Sequence, residues 1–360
     1  MAESTDTVKP TRRVLIGLLM MVAASLASHF LSQLAVAQAL PVRAPERVSE
    51  EIFVQIGGIE QWITINGDDR NNPVVLFLHG GPGNVSSPLA DAMFAGWGKD
   101  FTVVQWDQRG AGRTYSKTGP SIEPTMTMDR MIQDGIEVAE YLRDHLHKKK
   151  LVLTGGSWGS VLGVHMVKTR PDLFYAYVGV AQIVSPDDWA AGYGRTLKLA
   201  RQARDRNAIT ELEAIGPPPW DHIRKLGTWS RWTRVFESRA AGPAIELKPA
   251  DEYASEAERR QANEAADFSQ VHFFGLDMRG PLATLNLPAL GNEFQVPVFI
   301  LQGEADLKAF PEVTRAYFNR IRAPMKKYYL VRRSGHEPSA AMMQQWLKVL
   351  IEQVRPLTRD

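Results

Sequence analysis

In Leu151-Val152-Leu153-Thr154-Gly155-Gly156-Ser157-Trp158-Gly159, continued by Ser160-Val161-Leu162-Gly163-Val164-His165-Met166-Val167, a short apolar run of strand character enters G-x-S-x-G and an apolar helical pattern leaves it. The order strand, tight turn, helix presents a serine at the end of a buried strand. A residue there sits in a strained backbone conformation, and bulky neighbours would clash with the strand and helix packed around it. Gly155 and Gly159 relieve those clashes. Glycine, at about 7% of residues, is common enough that the pattern has little weight by itself. Its setting between strand and helix makes it a nucleophile elbow.

A serine hydroxyl is a poor nucleophile near neutral pH and needs a base, itself oriented by a carboxylate. Val296-Pro297-Val298-Phe299-Ile300-Leu301-Gln302-Gly303 reads as a buried strand, and Glu304-Ala305-Asp306 follows at its C-terminal end, where ligand-facing groups of a parallel sheet collect. Asp306 is the candidate acid and Glu304 its nearest rival. Lys327-Tyr328-Tyr329-Leu330-Val331 reads as a further strand, and Ser334-Gly335-His336 after it supplies the candidate base, His336. The chain order Ser157, Asp306, His336 is that of the α/β-hydrolases. His145 and His147, beside Lys148-Lys149-Lys150, end a helical pattern, where cations complement the helix dipole. No metal site is expected, because cysteine is absent and no H-E-x-x-H or similar cluster occurs.

Acyl transfer also needs N–H donors where charge develops on the attacked carbonyl oxygen. His79-Gly80-Gly81-Pro82-Gly83 follows the strand pattern Val74-Val75-Leu76-Phe77-Leu78. In this fold one donor comes from that loop and the other from the residue after the serine, so Gly81 and Trp158 are the expected oxyanion hole. The phosphate-cradling patterns G-x-G-x-x-G and Walker A are absent, and no cofactor is expected.

Working outward, Ile52-Phe53-Val54 and Gln61-Trp62-Ile63-Thr64-Ile65 alternate as a hairpin about Gly57-Gly58. Strands are expected near 74–78, 101–106, 151–154, 176–181, 296–302 and 326–331, and helices near 127–146, 158–169, 312–321 and 339–354. That alternation gives an α/β-hydrolase fold, a doubly wound, mostly parallel sheet with an inserted helical cap. Residues 45–185 and 289–360 are the expected core domain. Residues 186–288, with Trp189, Trp220, Trp229 and Trp232, the turn Gly216-Pro217-Pro218-Pro219 and a charged helical run from Ala250 to Ala266, are the expected cap.

His79-Gly80-Gly81-Pro82-Gly83, Asp107-Gln108-Arg109-Gly110 with Gly112-Arg113, and Gly155-Gly156-Ser157-Trp158-Gly159-Ser160 resemble the signature blocks of the proline iminopeptidase (prolyl aminopeptidase) family. The resemblance spans roughly residues 50–185 and 290–355. It implies a serine peptidase that releases an N-terminal residue, typically proline, from small peptides through an acyl-enzyme on Ser157. In that family, cap glutamates bind the substrate's free amine. Trp229-Ser230-Arg231-Trp232 resembles the family's W-x-x-W-E, but Thr233 stands in the glutamate position; Gln270-Val271-His272-Phe273-Phe274 resembles E-N-H-Y-F, but Gln270 replaces the acid. Trp232, Gln270 and His272 are therefore the candidate substrate contacts. Losing a charge-assisted bond to a buried ammonium costs about 1.5–3 kcal/mol, or about one to two decades in affinity. Glu264, Asp267, Asp277 or Glu293 are the acids available to replace it, while Arg231 and Arg234 would favour an anionic substrate. The departure keeps a carboxylesterase or amidase acting on small acyl substrates as the alternative, and a noncatalytic binding protein of the same fold as a remote one.

The 360 residues, 44% of them hydrophobic, suffice for one large core plus a lid. A net charge of +2, from 42 basic and 40 acidic side chains interspersed, argues against a nucleic-acid partner. The expected partner is a small-molecule or short-peptide substrate. The absence of cysteine excludes a disulfide framework and suits an exported bacterial protein. Lys9, Arg12 and Arg13 precede an uncharged stretch, Val14 to Leu40, with Ala35, Ala37 and Ala39 near its end. Residues 1–39 therefore read as a signal peptide, with Thr11-Arg12-Arg13-Val14-Leu15-Ile16 similar to a twin-arginine export signal, or alternatively as a membrane anchor. Either places the catalytic domain outside the cytoplasm, periplasmic or secreted.

Overall fold

Five strands whose side chains are almost all buried, β3 (Val74–Leu78), β4 (Thr102–Asp107), β5 (Leu151–Gly156), β6 (Phe174–Val180) and β7 (Val298–Gly303), form the middle of an eight-stranded sheet. The computed structural model describes residues 44–241, 245 and 247–359, so the expected export segment 1–39 lies outside the described residues. The strand order is β1-β2-β4-β3-β5-β6-β7-β8. The hairpin β1 (Val48–Ile56) and β2 (Ile59–Gly67) joins antiparallel at one edge, and the other pairings, out to β8 (Lys326–Val331), are parallel. Gly57 and Gly58 turn the hairpin at positive φ. Successive side chains of a strand point to opposite faces. Leu76, Leu153 and Ile300 accordingly enter one apolar cluster, while Phe77, Val152 and Phe299 enter another on the opposite face. Burial on both faces explains why these strands read as unbroken apolar runs.

The helices flanking the sheet are α1 (Ala90–Met93), α2 (Gly112–Thr118), α3 (Met128–His145), α4 (Trp158–Thr169), α9 (Pro311–Arg320) and α10 (Ala340–Val349). The last was expected to run to 354; instead it widens into a π turn over Leu350–Val354. Between β6 and β7 lie α5 (Asp187–Gln202), α6 (Arg206–Ile215), α7 (Ile223–Ala241) and α8 (Glu256–Phe274), with no strand among the described residues. The expected helix from Ala250 starts later, at Glu256, because the Ser255 side chain accepts the Glu258 N–H and fixes the N-terminus there.

Candidate active site

The turn from β5 into α4 holds Ser157 at φ 53°, ψ −118°, a conformation rare for a residue with a side chain. A Cβ on Gly155 would lie 2.3 Å from the Gly159 carbonyl oxygen, and one on Gly159 would lie 2.0 Å from that of Leu78. Both glycines are thus required by the closeness of backbone to backbone. Ser157 sits at the N-terminus of α4, where the first amides have no partner within the helix. Trp158 N–H is one of them.

The structure brings together the three residues expected to act with one another. His336 Nε2 lies 2.9 Å from Ser157 Oγ, and His336 Nδ1 lies 3.0 and 3.1 Å from the two Asp306 oxygens. Asp306 is held by the Lys308 and Ala309 N–H groups, at 2.9 and 2.8 Å, and by the Gln302 amide at 2.9 Å. Its rival Glu304 is exposed. Burial by itself would lower the His336 pKa, but the charge of Asp306 and its hydrogen bond prevail and hold it above the ordinary imidazole value. An imidazole so placed can take the proton of the serine hydroxyl and pass it to a leaving group.

Gly80, Gly81, Ser157, Trp158 and His336 line one cavity of about 1090 Å³. The loop that carries Gly81 is tied to Trp158 through Gln108: the Gln108 N–H donates to His79 Nε2 at 3.2 Å, its side-chain amide donates to the His79 carbonyl at 3.3 Å, and its Oε1 accepts the Trp158 indole N–H at 2.8 Å. Burial pushes the His79 pKa down to about 4, so the ring stays neutral and can accept that N–H. Gln108, the second residue of the Asp107-Gln108-Arg109-Gly110 block, thus bridges the two expected oxyanion-hole segments. Its neighbour Arg109 is buried against Asp134 of α3, with Nε 2.7 Å from a carboxylate oxygen, and also donates to the Gly57 carbonyl at 2.8 Å and to Thr125 Oγ1 at 3.0 Å.

The cap candidates divide. Gln270 lines the cavity; Trp232 and His272 do not. The Trp232 indole donates to Glu211 of α6 at 2.9 Å, and His272 lies between the Phe268 carbonyl, 2.8 Å away, and Glu123, 3.2 Å away. Both face away because a helix turns its residues about 100° apart, and neighbours in a motif need not share a face. Thr233 is buried and donates to the Ser230 carbonyl. Of Glu264, Asp267, Asp277 and Glu293, Asp267 lines the cavity, one turn before Gln270. Glu264 instead accepts from Tyr115, while Asp277 and Glu293 pair with Arg279 and Arg322 at the surface. Arg234 also lines the cavity, whereas Arg231 pairs with Glu211.

Residues 73–340 match the family of the alpha/beta hydrolase fold. A probable aminopeptidase, YbaC, of Bacillus subtilis (strain 168) is 32% identical over 304 residues, covering 82% of this chain and 93% of that protein. A probable proline iminopeptidase of Leptolyngbya boryana is 36% identical over 290 residues, covering 75% of this chain and 83% of the relative. The chain belongs to the proline iminopeptidase family of α/β-hydrolases. As a member of the proline iminopeptidase family it is a hydrolase. The crystal structure of a proline iminopeptidase from Mycobacterium smegmatis shares the fold, with a TM-score of 0.61 at 17% identity over 86% of this chain and 99% of that one.

Proposed function

We propose that the protein is a serine aminopeptidase releasing N-terminal residues from small peptides, with Ser157, His336 and Asp306 as its triad. The observation that carries this reading is the unbroken line of contacts from Asp306 through His336 to Ser157 Oγ, at the wall of a cavity large enough for a short peptide. Ser157 Oγ attacks the carbonyl carbon while His336 Nε2 takes its proton. The Gly81 and Trp158 N–H groups stabilise the oxyanion, His336 protonates the leaving amine, and the C–N bond breaks. Water activated by His336 then hydrolyses the acyl-enzyme. Asp306 keeps the Nδ1–H tautomer and stabilises the imidazolium that forms. The N-terminal segment supports an exported location for this activity.

Asn263, Asp267 and Gln270 line the cavity from α8 at spacings of four and three, so they share one helix face. In this reading Asp267 receives the substrate ammonium in place of the carboxylates absent at Thr233 and Gln270. An esterase or amidase reading is favoured by the apolar remainder of the wall, including Trp189, Ile223, Leu226, Trp229 and Leu282, which suits an acyl chain without an amine. The two readings part on Asp267→Asn. An aminopeptidase should lose affinity for substrates with a free amine and keep its rate on a p-nitrophenyl ester; an esterase should register neither change.

A further inference from the structure

We propose that Glu237, a carboxylate of the cap helix α7 that takes no part in the chemistry above, is a positioning residue that locks the acid-bearing and base-bearing loops to each other. Glu237 is 4% exposed. Its Oε1 accepts the Leu307 N–H at 2.6 Å, next to Asp306, and its Oε2 accepts the His336 backbone N–H at 3.2 Å. One side chain thus spans the two loops whose separation sets the Asp306 to His336 contact. The fit extends to the neighbour of His336: a Cβ on Gly335 would approach Glu237 Oε2 to 3.0 Å, so a residue without a side chain admits the carboxylate. The four successive amides at 307 to 310 are all taken by buried carboxylates: Leu307 by Glu237, Lys308 and Ala309 by Asp306, and Phe310 by Asp188 of α5 at 2.8 Å. Two of these three acids come from the helices between β6 and β7, so the cap grips the acid loop as well as roofing the cavity. Burial, and then the nearby Asp306 charge, push the Glu237 pKa up to about 7. Keeping a carboxyl group there is costly, and an apolar residue would fill the space at less expense; the two accepted N–H bonds are what such a residue cannot supply.

The proposal rests on the triad reading, and the experiment separates the two. Glu237→Gln, Glu237→Asp and Ser157→Ala are made in the full chain. kcat and KM are measured per folded molecule, counted by near-UV circular dichroism, on whichever prolyl arylamide or p-nitrophenyl ester the wild type turns over. Glutamine keeps one carbonyl oxygen but turns an NH₂ toward an N–H donor, and aspartate is one methylene too short to reach both amides. Each should lower kcat about tenfold or more with KM within about twofold, because misplacing a base by a fraction of an ångström affects the transition state more than binding. The aspartate variant decides the matter should the glutamine variant not fold. Wild-type kcat in the folded variants, or a change confined to KM, would overturn the proposal while an inactive Ser157→Ala left the triad standing. An active Ser157→Ala would overturn the triad reading itself.

Discussion

The loops at the ends of the strands and the helices that cover them hold their functional side chains by different means. In the loops, main-chain geometry does the placing: Ser157 is aimed by a strained turn that only Gly155 and Gly159 allow, and Asp306 by amides of its own loop. In the cap, placement depends on how each helix is rotated against its neighbours. Thr233 is turned into the helix packing and Trp232 toward Glu211, while Asp267, which lies outside both motifs, joins Gln270 at the cavity. Apart from Glu237 and Asp188, which grip the acid loop, cap residues can therefore change with little effect on the chemistry of the proposed enzyme, while the choice of substrate can shift by a single helical turn.

The largest effects should follow from the loops. Ser157→Ala and His336→Ala should each lower kcat by about 10⁴-fold or more without a comparable loss of thermal stability, measured as Tm beside turnover. Comparable residual activity in both and in wild type would erase the distinction between loops and cap. Asp306→Asn should cost about 10⁴-fold through the wrong histidine tautomer, while Glu304→Gln should leave the rate near that of wild type. The reverse pattern would move the acid to Glu304.

A pH profile sharpens the same region. Since Asp306 holds the His336 pKa above the usual value near 6.5, kcat/KM should fall about tenfold per unit as pH drops through a point above 6.5, where the base becomes protonated. A profile flat down to pH 5 would contradict a histidine base. Within the cap, Asp267→Asn should raise KM for a free-amine arylamide roughly tenfold, the value of one charge-assisted bond, and leave an ester unaffected. Smallest of all, Trp232→Phe and His272→Gln should change KM by less than about twofold, since neither lines the cavity.

Residues whose role depends on backbone shape were legible in the chain itself. G-x-S-x-G between an apolar strand and an apolar helix, and the acid and the histidine each just beyond a strand, carry their position in local pattern. The sheet was legible for the same reason, because strands buried on both faces read as continuous Val, Ile, Leu and Phe. The facing of cap residues was not, since it is set by contacts between helices far apart in sequence: Trp232 belongs with Glu211 and His272 with Glu123. Glu237 did leave a trace. Trp229, Thr233, Phe236 and Glu237 are the buried positions of α7, at spacings of four, three and one, so a charged residue continuing that stripe signals a buried carboxylate. Gln108 stands in a signature block, but its bridging role left no trace, because its three hydrogen bonds join segments about 30 and 50 residues away.

The most direct measurement compares kcat/KM for prolyl p-nitroanilide and its N-acetylated form, with the wild-type protein and Ser157→Ala side by side. A serine aminopeptidase whose cap reads the free amine should cleave the unblocked substrate at least about tenfold better, and Ser157→Ala should cleave neither. Equal cleavage of both forms by the wild type would contradict amine recognition, and wild-type rates in Ser157→Ala would contradict the nucleophile on which the whole account depends.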